Sequence, residues 1–260
     1  MARQSAANLR SGSVEPVRVK REYHKWHSPA LQREMELLVF GEGGQRLLVF
    51  PTRKQRFFEY EDHGMIQSLR HRIDAGEVQV ICVDSIDAES LYCFDIPPEE
   101  RLRRHLQYER YIVEEVVPFT ETQKHWTALI AHGCSFGAFH AVSMVCRHPH
   151  LFHGALAFSG RYDLTLHAGE YHSLFHGYSS EQLSAIMPSH FVPEIKDRKI
   201  LRTLRSIPFT FVIGEEDPFL ENNVEMSEAL DAKKIPCTLK IWCDNAHRFR
   251  HWRQMIRIYL

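Results

Sequence analysis

No stretch of apolar residues in this sequence approaches the roughly 20 needed to cross a bilayer, which excludes a helical membrane-spanning protein. The first thirty residues, MARQSAANLRSGSVEPVRVKREYHKWHSPA, are polar and basic and have no apolar h-region. They do not read as a secretory signal, so the cytoplasm is the expected compartment. A charge excess is also missing: 32 Lys and Arg stand against 33 Asp and Glu, interspersed along the chain. That leaves no electrostatic case for nucleic acid. Local clusters such as Arg101, Arg103 and Arg104 sit beside Glu99 and Glu100, the pattern of a solvated helix face. The six cysteines contain no CxxC pair and several lie inside apolar runs. Reduced, mostly buried thiols are expected, and a disulfide framework is not. No internal repeat or low-complexity tract occurs, which removes solenoids and disordered linkers.

What is present is the balance of a soluble globular protein, with 44% apolar and 25% charged residues over 260 positions. A single α/β domain of this length buries a full core. Residues 1–14, small and polar, read as a flexible N-terminal arm, leaving 15–260 as the domain. VRVKREYHKW alternates like a strand, and QREMELLVFGEGGQRLLVFP reads as two strands joined by a hairpin turn at 41–44. The rhythm then changes. Short apolar runs at 78–84, 126–133, 154–160, 207–215 and 237–244 alternate with helical patterns at 63–74, 97–119, 136–149, 221–234 and 247–260. Pro97 and Pro98 open the second of these helices, where a missing N–H costs little. The expected fold is α/β: a mainly parallel twisted sheet of about eight strands, entered through an N-terminal antiparallel hairpin, with helices on both faces. Residues 161–206 break the alternation and read as a helical, lid-like insertion.

The chemistry centres on Gly133-Cys134-Ser135-Phe136-Gly137, a G-x-S-x-G pattern. It follows a predicted buried strand and opens a predicted helix, the setting of a nucleophile elbow. Glycines flank such a turn because a Cβ at either would meet neighbouring backbone. A serine hydroxyl needs a base, and the base needs an acid to hold its tautomer. In the strand–turn–helix setting the chain order is serine, acid, histidine, each at a strand's C-terminal end. The turn after 207–215 offers Glu215, Glu216 and Asp217; Asp217 is selected, since Pro218 then bends the chain toward the next helix. His247 lies in the loop after 237–244, while His251, one turn into the following helix, is less free to swing.

The Phe136 amide is one expected oxyanion donor, and a second comes from the loop after the third strand, at Thr52 or Arg53 with Arg53 preferred. His132, three residues before the serine, is either a substrate-binding wall of the pocket or a core histidine. Arg248 beside the base is a candidate substrate contact. His148, His150 and His153 space like H-x-H-x-x-H but bring no acidic or thiolate companions, so no metal is expected.

VFPTRKQRFFEYEDHGM, LYCFDIPPEERLRRHLQYERYIVEEVVPF, GCSFGAFHA, LAFSGRYDL, VIGEEDP and AHRFRHWRQM together resemble the putative-esterase branch of the α/β-hydrolases, which includes esterase D, feruloyl esterases and mycolyltransferases. The resemblance spans roughly residues 30–260. It implies Ser135 as nucleophile, Asp217 as acid, His247 as base and the Phe136 amide in the oxyanion hole. Two departures stand out: Arg248 follows the histidine where the family often has an acid, and the first oxyanion loop is poorer in glycine. The expected function is a carboxylic ester hydrolase working through an acyl-enzyme on a small-molecule ester, without cofactor or metal. Acyl transfer on the same scaffold and a non-catalytic binding module are the alternatives. Oligomeric state and natural substrate are not legible.

Overall fold

The computed structural model describes residues 19–121 and 128–260. The proposed arm at 1–14 and the start of the 126–133 run lie outside the described residues. Eight strands form one sheet: β1 (Arg21–Ser28), β2 (Arg33–Phe40), β3 (Gln45–Phe50), β4 (Val78–Val83), β5 (Leu129–Cys134), β6 (Gly154–Phe158), β7 (Phe209–Gly214) and β8 (Cys237–Trp242). The helices are α1 (Glu59–Asp62), α2 (Met65–Asp74), α3 (Pro98–Tyr111), α4 (Val117–Glu121), α5 (Phe136–Arg147), α6 (Glu181–Ile186), α7 (Pro188–Glu194), α8 (Arg198–Leu204), α9 (Leu220–Ala232) and α10 (Phe249–Tyr259). A π-helical segment, Ile112–Val116, joins α3 to α4.

The strand order is β1-β2-β4-β3-β5-β6-β7-β8. β1 and β2 pair antiparallel, β2 runs antiparallel to β4, and every later pairing is parallel. The antiparallel hairpin is therefore β1–β2, turning at Pro29–Gln32, and not the pair joined by Gly41–Gly44. β4 lies between β2 and β3. All six residues of VQVICV are buried, so β4 takes a strand on each edge. The Gly-Glu-Gly-Gly segment passes over the entry to β4: a Cβ on Gly44 would sit 2.2 Å from the Glu77 carbonyl carbon. Glycine there serves close backbone approach rather than a two-strand turn.

Alternate residues of the strands feed opposite faces. Leu48, Phe50, Ile81, Val83, Ala131 and Phe211 pack on one side with the long helix around Tyr108 and Tyr111. Leu47, Val49, Val80, Cys82, Phe158 and Val212 pack on the other against α2 and α10. α10 shows why it forms and how it sits: Trp252, Met255 and Ile256 face the sheet while Arg253, Gln254 and Arg257 stay in solvent. A third cluster joins Tyr92, Leu102, Phe136 and Phe139 to Leu164, Leu174, Phe175, Leu183 and Ile186. The 161–206 interval thus folds as α6, α7, α8 and their loops, and its first half packs directly on the helix that follows the serine. The six cysteines are free thiols, with Cys82, Cys134 and Cys146 buried.

Three buried ionisable groups make the fold acid-sensitive. Burial pushes the His105 imidazole down to about 3 and the His132 imidazole to about 4. Burial alone would raise the Glu109 carboxyl, but hydrogen bonds from His148 and Arg147 outweigh it and hold it at about 2. An unfolded chain binds these protons at about 6.5 for histidine and about 4.3 for glutamate. All three folded values lie below the unfolded ones, so the stability they carry is complete above pH 6.5 and is lost as pH falls through that window. Unfolding free energies from urea titrations are expected to be level from pH 8 to 7 and to fall steeply between pH 6 and 4, by an amount on the order of several kcal/mol in total. His105→Leu should flatten part of that slope, since neither ring nitrogen of His105 has a partner among the described residues.

Candidate active site

β5 carries the chain to Ser135, which sits at φ 54°, ψ −119° between the strand and α5. Left-handed backbone is strained for serine and persists only where the surroundings enforce it. Here both flanking glycines allow it. A Cβ on Gly133 would fall 2.1 Å from the Gly137 carbonyl carbon, and one on Gly137 would fall 2.2 Å from the Phe50 carbonyl oxygen. The Ser135 amide donates to the Phe158 carbonyl at 2.8 Å, tying the bend to β6. The hydroxyl is held above the sheet edge and is partly exposed.

At the end of β7, Gly214 lets the acid turn cross beneath the histidine loop, because a Cβ there would lie 2.2 Å from the Asn245 carbonyl oxygen. Backbone hydrogen bonds from Glu215 to Trp242 and from Glu216 to Asp244 lock the two loops together. Glu215 and Glu216 point to solvent, whereas Asp217 is buried. One Asp217 oxygen accepts the Phe219 amide at 3.0 Å, and the other lies 2.8 Å from His247 Nδ1. His247 Nε2 lies 2.9 Å from Ser135 Oγ. The ring is packed by Trp252, Tyr171 and Phe219. Backbone at Asp244 (φ 63°) and Ala246 (φ 52°) shapes the loop that delivers it. Fold and packing therefore bring Ser135, Asp217 and His247 into one hydrogen-bonded line. His251 stays outside it, with its ring beside Arg250.

The loop after β3 shows which amide is available. Thr52 N–H donates to the Glu59 carboxylate at 2.8 Å, and Lys54 N–H donates to the Asp87 carboxylate at 3.1 Å. Asp87 is itself anchored by His140 of α5 at 3.0 Å. The amides on both sides of Arg53 are thus occupied, that of Thr52 by Glu59 and that of Lys54 by Asp87. Neither Arg53 N–H nor Phe136 N–H has a hydrogen-bond partner among the described residues, and both residues line the cleft.

That cleft, about 400 Å³, is walled by Ser135, His247, Tyr92, Tyr171, Phe219 and Trp252, with Arg53, Arg161 and Arg248 at its polar positions. Its size suits a small molecule. Arg248 therefore stands where a substrate contact was expected. His132 does not: it is fully buried, with Nε2 2.6 Å from the Tyr60 hydroxyl and Nδ1 2.7 Å from the Leu156 carbonyl. Its side chain points through the sheet into the core, because alternate β5 residues face opposite ways. Of the other histidines, His148 pairs with Glu109 and His153 accepts the Leu129 amide. Among the described residues no group of three or more His, Cys, Asp or Glu is placed to hold a metal. Nor is any helix among them long and apolar enough to cross a membrane.

Sequence spacing alone did not find Tyr92, Arg161, Tyr171, Phe219 or Trp252 as cleft residues. Each comes from a loop or helix whose position depends on tertiary packing; the quoted LYCFD, SGRYDL and RHWRQM segments contain Tyr92, Arg161 and Trp252, and no quoted segment contains Tyr171 or Phe219.

The profile of the family described as Putative esterase matches residues 58–255. No curated protein matches the sequence. Among solved structures, a ferulic acid esterase superposes with a TM-score of 0.72 at 17% identity, over 93% of this chain and 96% of its own. An S-formylglutathione hydrolase from Agrobacterium tumefaciens gives 0.72 at 16%, over 92% of each chain. The fluorophosphonate-binding serine hydrolase F of Staphylococcus aureus gives 0.70 at 14%, over 92% of this chain and 96% of its own. These likenesses establish the fold, and the profile establishes the kinship: the chain belongs to the Putative esterase family of the α/β-hydrolases.

Proposed function

We propose that the protein is a serine esterase that cleaves small carboxylic esters through an acyl-enzyme formed on Ser135. The observation that carries this reading is the His247 ring, whose two nitrogens lie 2.9 Å from Ser135 Oγ and 2.8 Å from Asp217 Oδ2. Ser135 Oγ attacks the ester carbonyl carbon as His247 Nε2 takes its proton. The oxyanion that develops is met by the Phe136 and Arg53 amides, neither of which has a partner among the described residues. His247, now an imidazolium steadied by Asp217, returns the proton to the departing alcohol oxygen. Water then enters, gives its proton to His247, and attacks the acyl carbon; collapse of that second intermediate frees the acid and restores Ser135. An alcohol in place of water would give acyl transfer by the same steps, and the open cleft favours water.

A fluorophosphonate probe is expected to label the folded protein stoichiometrically, and p-nitrophenyl esters of increasing chain length should be turned over with a preference for short acyl groups. A folded protein that neither reacts with the probe nor cleaves any ester of the series would overturn the proposal.

A further inference from the structure

Arg161 poses a problem that the ester chemistry leaves unexplained. Its side chain is buried, at 4% exposure, yet among the described residues it makes no ion pair. Nε donates to the Asp163 carbonyl, and Nη2 faces the carbonyls of Leu164, Leu166 and His172. The nearest acid, Asp163, turns its carboxylate to His190 and Thr165 instead. Carbonyl dipoles hold the guanidinium in place but do not neutralise it, and an unpaired buried charge is costly. Nη1 makes none of these bonds; the other polar neighbour of the guanidinium is the Tyr92 hydroxyl, a neutral group that brings no counter-charge, and Arg161 lines the cleft that contains Ser135. A second hollow continues from that cleft and shares Arg53, Tyr92, Arg161 and Tyr171 with it. Over the two hollows the cations are Arg53, Lys54, Arg161 and Arg248, against Glu170 as the one exposed acid of the lining. Arg53 and Lys54 both lie over the Tyr92 ring, which keeps their charge on this side of the cleft.

Resting on the serine-esterase reading, we infer that the hollow at Arg161 and Arg53 is an anion subsite, and that the substrate is an ester bearing a carboxylate a few bonds from the scissile carbonyl. The substrate carboxylate supplies the counter-charge that Arg161 lacks, and Tyr92 and Tyr171 flank the linking carbons. A guanidinium fixed by backbone is already oriented for a planar carboxylate.

The test compares anionic and neutral partners of matched size on each side of the ester. Monoethyl glutarate against ethyl valerate places the charge on the acyl side, and 4-acetoxybenzoate against 4-acetoxybenzamide places it on the alcohol side. In the wild type the ratio of kcat/KM, anionic over neutral, is expected to exceed about 10 for one of the pairs, the scale of one charge-assisted contact. Arg161→Gln should bring that ratio near 1, Arg161→Lys should keep part of it, and Arg53→Gln should lower it. Ratios at or below 1 for both pairs in the wild type overturn the subsite whether or not the variants fold, as does a ratio that survives both Gln substitutions. Turnover of the neutral esters with no anionic preference would leave the serine-esterase reading standing; absence of turnover and of fluorophosphonate labelling would remove both.

Discussion

Replacing Ser135 by alanine is expected to abolish fluorophosphonate labelling and to lower ester turnover by about a millionfold, leaving only the residual acceleration of binding and oxyanion stabilisation. The fold should survive, because alanine adds no atom to the cramped bend and the helix after it stays packed through Phe136, Ala138 and Phe139. The neighbouring serine cannot take over. Ser159 is also at positive φ (50°), at the end of the next strand, but it is fully buried and its oxygen accepts the Trp252 indole N–H at 3.1 Å. Intact-mass measurement after probe treatment, with a thermal melt of the same sample, decides the matter. A variant that melts like the wild type and still gains the probe mass would place the nucleophile elsewhere.

The parts of this site that could be read from residues are those in which local sterics and topology leave few choices. Gly133 and Gly137 are needed because backbone passes within 2.2 Å of where their Cβ atoms would be, and a residue between two such glycines is displayed by the same crowding. Chain order at the ends of successive parallel strands narrowed the acid to one turn and the histidine to one loop. Within that turn, burial separates Asp217 from Glu215 and Glu216, a distinction the proline after it only hinted at.

What local sequence misleads about or leaves open has a common cause. Gly41–Gly44 announces a reversal, yet which strand lies beside β2 is decided by β4, which begins at Val78, far along the chain, and whose six buried residues take both neighbouring edges. Distance in sequence from Ser135 leaves His132 open between a pocket wall and a core position; a strand alternates its faces, and three residues back from the bend leads into the core. Thr52 and Arg53 were equivalent by offset. What separates them is the pairing of flanking amides with Glu59 and Asp87, 7 and 33 residues distant along the chain. Arg161 carried no signal of its own in SGRYDL, because an arginine's lack of a partner is a property of the folded neighbourhood alone.

Asp217→Asn is expected to cost about four orders of magnitude in kcat while leaving the thermal midpoint close to the wild type. The local hydrogen bonds explain why so small a change is so damaging. Asp217 presents two acceptors, one to the Phe219 amide and one to His247 Nδ1. Phe219 N–H is a fixed backbone donor in a buried turn, so it claims the single oxygen that asparagine retains. The amide NH2 then faces Nδ1 and can be satisfied only if Nδ1 is the acceptor. That places the imidazole proton on Nε2, where it points at Ser135 Oγ and removes the lone pair that must take the serine proton. Asparagine thus preserves shape and selects the wrong tautomer. Asp217→Ala instead leaves the Phe219 amide unpaired in a buried site, so it should lower the melting temperature as well as kcat. Rates within tenfold of wild type for a folded Asp217→Asn would show that the carboxylate does not control the His247 proton, and the proposed division of roles among the three residues would fall.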